Sequence, residues 1–98
     1  MVEASTERIY RRHRDISFQD YGGEGLLVIP RQALQVVLNG TSFRVLQLVD
    51  GKRSAAEIAS ILSTEYEQVP VLEELVGDVR GALTELTELG AVELVPTA

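Results

Sequence analysis

The apolar positions of this chain change period along its length, and each change marks an element. Ile16 and Phe18 alternate with polar neighbours, as on a half-buried strand. Leu26 to Ile29 is a continuous apolar run between the turn-forming Tyr21-Gly22-Gly23-Glu24-Gly25 and Pro30. Leu34, Val36 and Leu38 alternate with Gln35 and Val37, predicting a third strand with apolar residues on both faces. The period then becomes helical. Asn39 to Ser42 supplies N-cap candidates, and Phe43, Leu46, Leu48 and Val49 make an apolar side. Asp50-Gly51 is the expected stop, with glycine in the left-handed C′ position. Ser54 and Glu57 have capping-box spacing before Ile58, Ala59, Ile61 and Leu62, and Tyr66 closes the second helix. Pro70 suits the first turn of a third helix, whose Leu72, Leu75, Val76, Val79, Leu83, Leu86 and Leu89 keep three-and-four spacing up to Gly90. Ala91 to Val95 is a last short strand, ended by Pro96.

The predicted order is β-β-β-α-α-α-β. This is an α+β, winged-helix-like domain: a three-stranded antiparallel sheet followed by three helices and a short C-terminal strand. Residues 1–8 read as a flexible N-terminal arm and 9–98 as one domain.

Composition narrows the function. The 98 residues contain no cysteine and one histidine, which removes disulfide, thiolate and multi-histidine metal chemistry. No apolar run has membrane-spanning length and no signal peptide opens the chain, so a cytoplasmic protein without membrane contact is expected. The net charge is −6. Residues 1–14 hold four arginines and two glutamates and carry +2, leaving −8 on the remainder.

No constellation points to catalysis, a cofactor or a metal. Nucleotide-binding, nucleophile-elbow and zinc-protease motifs are absent. Gly22, Gly23 and Gly25 lack the lysine and helix of a phosphate cradle and read as a hairpin turn. His13 and Asp15 share a strand face as a surface pair. Glu73, Glu74 and Asp78 read as a solvated helix face.

Two helices around Asp50-Gly51 suggest a helix-turn-helix, and so a DNA-binding regulator. The outward positions of the second helix oppose this. They include Ala55, Ala56, Glu57, Ser60, Ser63, Thr64 and Glu65, none basic. An acidic body repels phosphates, so no nucleic-acid partner is expected. A peptide surface fits better. A third strand at a sheet edge can accept another strand, and Val76, Arg80, Leu83 and Thr87 form a stripe on the third helix. Gly77 and Gly81, costly inside a helix, leave room beside that stripe for an approaching backbone.

At these residues the chain resembles the PqqD family of peptide chaperones, also called RiPP recognition elements. The resemblance spans about residues 26–94. It rests on the strand ending at Pro30, V-V-L-N at 36–39, D-G-K-R at 50–53, S-x-x-E-I-A at 54–59, Tyr66, Asp78-Val79, Leu83, Leu86 and Gly90. It implies a non-catalytic domain that binds the leader segment of a ribosomally made precursor peptide by strand addition. The leader is then presented to a modifying enzyme, such as a radical S-adenosylmethionine enzyme or a leader protease. Carried over, the peptide-binding residues are Gln35, Val36, Val37 and Leu38 on the strand and Val76, Arg80, Leu83 and Thr87 on the helix. Arg80 would pair with an acidic leader residue, and Val76 and Leu83 would take apolar anchors. Gly77 and Gly81 depart from the resemblance, which implies larger residues there; they either widen the cleft or weaken the helix. A structural module using the same edge for homodimer formation remains the other non-enzymatic reading.

Overall fold

The computed structural model describes residues 8–22, 24–66 and 71–96. Its elements are β1 (Tyr10–Arg12), β2 (Ser17–Tyr21), β3 (Glu24–Ile29), β4 (Leu34–Leu38), α1 (Gly40–Leu48), α2 (Ala55–Ser63), α3 (Leu72–Leu89) and β5 (Val92–Leu94). The expected α+β architecture is present. Residues 1–7 of the expected arm, Gly23 of the hairpin and Pro70 lie outside the described residues.

The meander follows the alternation. β2, β3 and β4 pair antiparallel in that order, with Phe18↔Leu27↔Val36 and Gly25↔Leu38 in register. Leu27 and Ile29 are fully buried, so one sheet face is core. Each such side chain contributes about 1.5–3 kcal/mol through burial. Gly22 turns the first hairpin at φ +65°. Gly25 has a different role from the turn assigned to it. It sits inside β3, where an added Cβ would collide with the Phe43 ring. Phe43 in turn packs edge-on against Phe18, with centroids 5.8 Å apart. Glycine at 25 therefore lets α1 approach the sheet.

The caps explain the helix limits. Asn39 accepts a hydrogen bond from the Ser42 amide at 2.8 Å and starts α1. Ser54 and Glu57 form the full capping box at the start of α2. The stop after α1 differs from the expected C′ glycine. Val49 already leaves the helix in extended conformation, and Gly51, two residues on, takes φ +84°. Asp50 instead fixes the turn by accepting from the Lys52 and Arg53 amides. Gly90 ends α3 in the left-handed conformation, as expected.

An additional strand precedes the meander. β1 pairs antiparallel with β5, Arg11 opposite Glu93, in a separate two-stranded sheet. Its sequence, Tyr-Arg-Arg, has no apolar alternation to reveal it. Gly51 N–H donates to Tyr10 O, and Ile9 bridges Ser54, so β1 lies against the turn entering α2. α1 packs on β3 and β4 and also on α3, while α2 packs on α3. The buried core runs through all of these elements.

Candidate functional site

Among the described residues β4 has a hydrogen-bonded neighbour only on its β3 side, so its other edge ends the three-stranded sheet. Leu34, Val36 and Leu38 share the core face with Leu27 and Ile29. Gln35 and Val37 point to the outer face, and Val37 is 67% exposed. An exposed valine on an unpaired edge is a feature that soluble domains usually mask with charge or proline. Here the edge has neither between Leu34 and Leu38. Beside it, Tyr21, Leu26 and Val37 line a shallow apolar cavity of about 250 Å³ on the outer face.

The start of β4 is fixed by α3. Ala33 takes a left-handed conformation at φ 51° to reverse the chain after the turn Pro30–Gln32. From that turn Gln32 Nε2 donates to Leu89 O at 3.0 Å, and Arg31 donates to Gly90 O. Arg31 also pairs with Asp15, whose Oδ1 lies 2.8 Å from His13 Nδ1. The expected histidine–aspartate pair forms, though in the turn between β1 and β2 rather than on a strand face, and it is part of a clamp joining the β3–β4 connection to the N-terminal segment.

The eight expected peptide-binding residues do not form one surface. Gln35 and Val37 are exposed and Val36 is half-buried, but Leu38 is 3% exposed and belongs to the core. On α3, Leu83 is fully buried and has no side-chain surface for an anchor. The reason is its position beside Val79 and Leu86 on the helix face that α1 and α2 cover. Thr87 donates its hydroxyl to Leu83 O, and Val76 lies half-buried against the core. Arg80 is exposed, but on a cavity bounded by β1, α2 and α3 that no β4 residue lines. α1 packs against both β4 and α3, and the two do not pack closely on each other.

Two of the three helix-turn-helix cations, Arg44 and Arg53, are occupied within the fold, while Lys52 is exposed. Arg44 holds Glu65 through Nε and Nη2, at 3.0 and 2.7 Å, and this contact keeps the Glu65 carboxyl below the usual range. Arg53 donates to Leu48 O and pairs with Asp50. On β1, Arg11 lowers the Glu93 carboxyl pKa in the same way. Glu73, Glu74 and Asp78 are exposed, and among the described residues no three potential metal ligands converge. No helix among the described residues is long and apolar enough to cross a membrane.

Fold and edge together define a winged-helix-like α+β domain that presents an unpaired strand. The family model for coenzyme PQQ synthesis protein D (PqqD) matches residues 24–92, and the chain belongs to that family. No curated protein sequence matches the chain. Among solved structures it is similar to TbiB1 in complex with the TbiA(beta) leader peptide, with TM-score 0.72 and 17% identity over 90% of this chain and 98% of that one. It is also similar to a lasso peptide synthetase B1 complexed with the leader peptide, with TM-score 0.71 and 25% identity over 89% and 98%. A third is the PqqD truncation of Methylobacterium extorquens PqqCD, a stand-alone RiPP recognition element, with TM-score 0.70 and 23% identity over 87% and 88%.

Proposed function

We propose that this chain is a peptide chaperone that binds the leader segment of a ribosomally synthesised precursor as an added strand on the free edge of β4. The observation that carries the reading is the unprotected edge at Gln35, Val36, Val37 and Leu38, in a chain of the PqqD family. Backbone N–H and C=O groups on such an edge bind an extended peptide, and alternate side chains select it. The two similar structures that hold leader peptides support the same reading. In it the domain performs no chemistry. It presents the leader to a modifying enzyme, such as a radical S-adenosylmethionine enzyme or a leader protease, in the cytoplasm.

The DNA-binding reading loses support from the ion pairs. Of the three cations near a would-be recognition helix, Arg44 and Arg53 are already held by Glu65 and Asp50, which leaves Lys52 alone exposed without an ion pair. Self-pairing through β4 is the competing use of the same edge, and light scattering over a range of concentrations distinguishes it.

The test is a two-dimensional amide titration of labelled protein with the leader of its precursor. Shifts centred on residues 34–38 are expected. A Val37→Pro variant that remains folded is expected to bind more weakly, since proline fixes the local backbone and removes a donor. Shifts confined to 55–65, or unaltered affinity in the folded variant, would exclude strand addition here.

A further inference from the structure

The cavity that receives Arg80 is cationic, as is the one lined by Arg11, Arg12, His13, Arg14 and Glu93, but it holds no carboxylate among the described residues. Its volume is about 410 Å³, and Arg8, Tyr10, Ser54, Ala55, Ala56, Arg80 and Thr84 line it. Two arginines line it and, among the described residues, no aspartate or glutamate does. The chain as a whole carries −6.

Arg80 is the single cation of an otherwise acidic α3, which also holds Glu73, Glu74, Asp78, Glu85 and Glu88. Carboxylates three or four residues away would normally pair with it. Its neighbours at those spacings are Val76, Gly77, Leu83 and Thr84. Arg8 reaches the same space from the start of the described chain. Among the described residues neither arginine has an ion-pair partner, as is also true of Arg12 and Arg14, whereas Arg11, Arg31, Arg44 and Arg53 all do. The remaining lining is rich in donors. Tyr10 and Thr84 bring hydroxyls. Ala55 and Ala56 are the first two residues of α2, whose N–H groups have no partner within the helix. The nearest acid on α2, Glu57, is engaged by the Ser54 amide at 2.8 Å. A space with two uncompensated guanidiniums, added donors and no acceptor charge suits an anion. Its volume lies within the roughly 300–1,000 Å³ of ligand-sized sites, so it accommodates more than one small ion.

We propose that this cavity is a second binding site, which takes the carboxylates of an acidic segment of a partner protein. It is separate from the β4 edge and does not depend on leader binding there. Arginine forks make bidentate contacts with carboxylates as with phosphates, and a volume larger than one small ion favours a segment with several linked carboxylates.

The experiment is an amide titration of the full chain with an acetylated, amidated hexaglutamate peptide, using hexaglutamine and inorganic phosphate as controls. Saturable shifts at residues 55–57 and 80–84 are expected, absent with hexaglutamine and weakened by salt. Arg80→Gln and Arg8→Gln are each expected to weaken binding about tenfold, with Arg80→Lys recovering part of the loss. Both side chains are exposed, so the variants should retain the parent spectrum elsewhere. Hexaglutamate shifts unchanged in Arg80→Gln, shifts confined to residues 11–14, or phosphate binding as tight as the peptide would each overturn the proposal.

Discussion

The free edge of β4 and the cavity between β1, α2 and α3 lie in one small domain but offer opposite chemistry. The edge offers backbone groups flanked by Gln35 and Val37, with no charge between Leu34 and Leu38. The cavity offers Arg8 and Arg80 beside Tyr10, Ala55 and Ala56, with a lining more polar than apolar. An edge binds through ladder hydrogen bonds and apolar side-chain contacts, which salt barely affects. A cationic pocket binds through charge, which salt screens. The contrast explains how a single domain can hold a peptide and a second protein without the two competing. It also makes each surface breakable without touching the other.

The largest effect should come from Gly25→Ala. The new methyl would collide with the Phe43 ring, so either Phe43 or strand β3 must move. Overpacking of this kind costs about 1–3 kcal/mol. For a domain of this size that lowers the melting temperature by roughly 10 °C. Gly25 pairs with Leu38, so the shift is transmitted to the β4 edge. Leader affinity should fall while hexaglutamate binding is retained. An unchanged melting temperature by circular dichroism would mean that Phe43 yields freely and that Gly25 does not define the edge.

Ionic strength provides the next largest separation. Raising salt should weaken hexaglutamate binding by about tenfold over a fourfold salt increase, following the loss of a few charge contacts. Leader binding to β4 should change by less than about twofold over the same range. Isothermal titration at several salt concentrations measures both. Equal salt slopes for the two ligands would show that they share one surface.

Much of this architecture is legible in the sequence, because local chemistry decides it. The Ser54/Glu57 box, the Asn39 cap, the Gly90 stop and the alternation of β4 are all read at short range and are all present. The failures are long-range. β1 exists because β5 returns beside it, and nothing in Tyr-Arg-Arg announces a partner more than eighty residues away. Leu83 reads as part of a surface stripe by spacing, yet α1 and α2 together cover more of α3 than a single stripe suggests. The one available signal for the cavity was the lack of any carboxylate three or four residues from Arg80 in a helix full of them.

Gly77 and Gly81 test whether α3 belongs to either surface. An added Cβ at each meets nothing within 4 Å, and both residues are exposed. Alanine there should stabilise the fold by about 0.5–1 kcal/mol per site, through helix propensity and a less flexible unfolded chain. Urea denaturation measures this. If a partner's backbone approaches α3 at these glycines, the same variants will bind it more weakly despite their greater stability. If neither ligand notices them, both sites lie off that face.

The smallest effect concerns the cation that is paired rather than free. Arg44 on α1 holds Glu65 just beyond α2, and this contact lowers the Glu65 carboxyl below its ordinary value of 4.5. A carboxyl depressed in the folded state stabilises the fold at pH values above its unfolded pKa, and that stabilisation is lost as pH falls through the lower folded value. The pair is about one-third exposed, so screening limits it to roughly 0.5 kcal/mol. Glu65→Gln should therefore lower the melting temperature slightly at pH 7, and the gap from the parent should close on acidification below pH 4.5. Arg44 released in that variant becomes a second unpaired arginine on the helical face. If hexaglutamate still shifts only residues 55–57 and 80–84, an unpaired arginine alone is not sufficient for binding. The converging donors of the cavity, rather than free positive charge, would then be what selects the acidic segment.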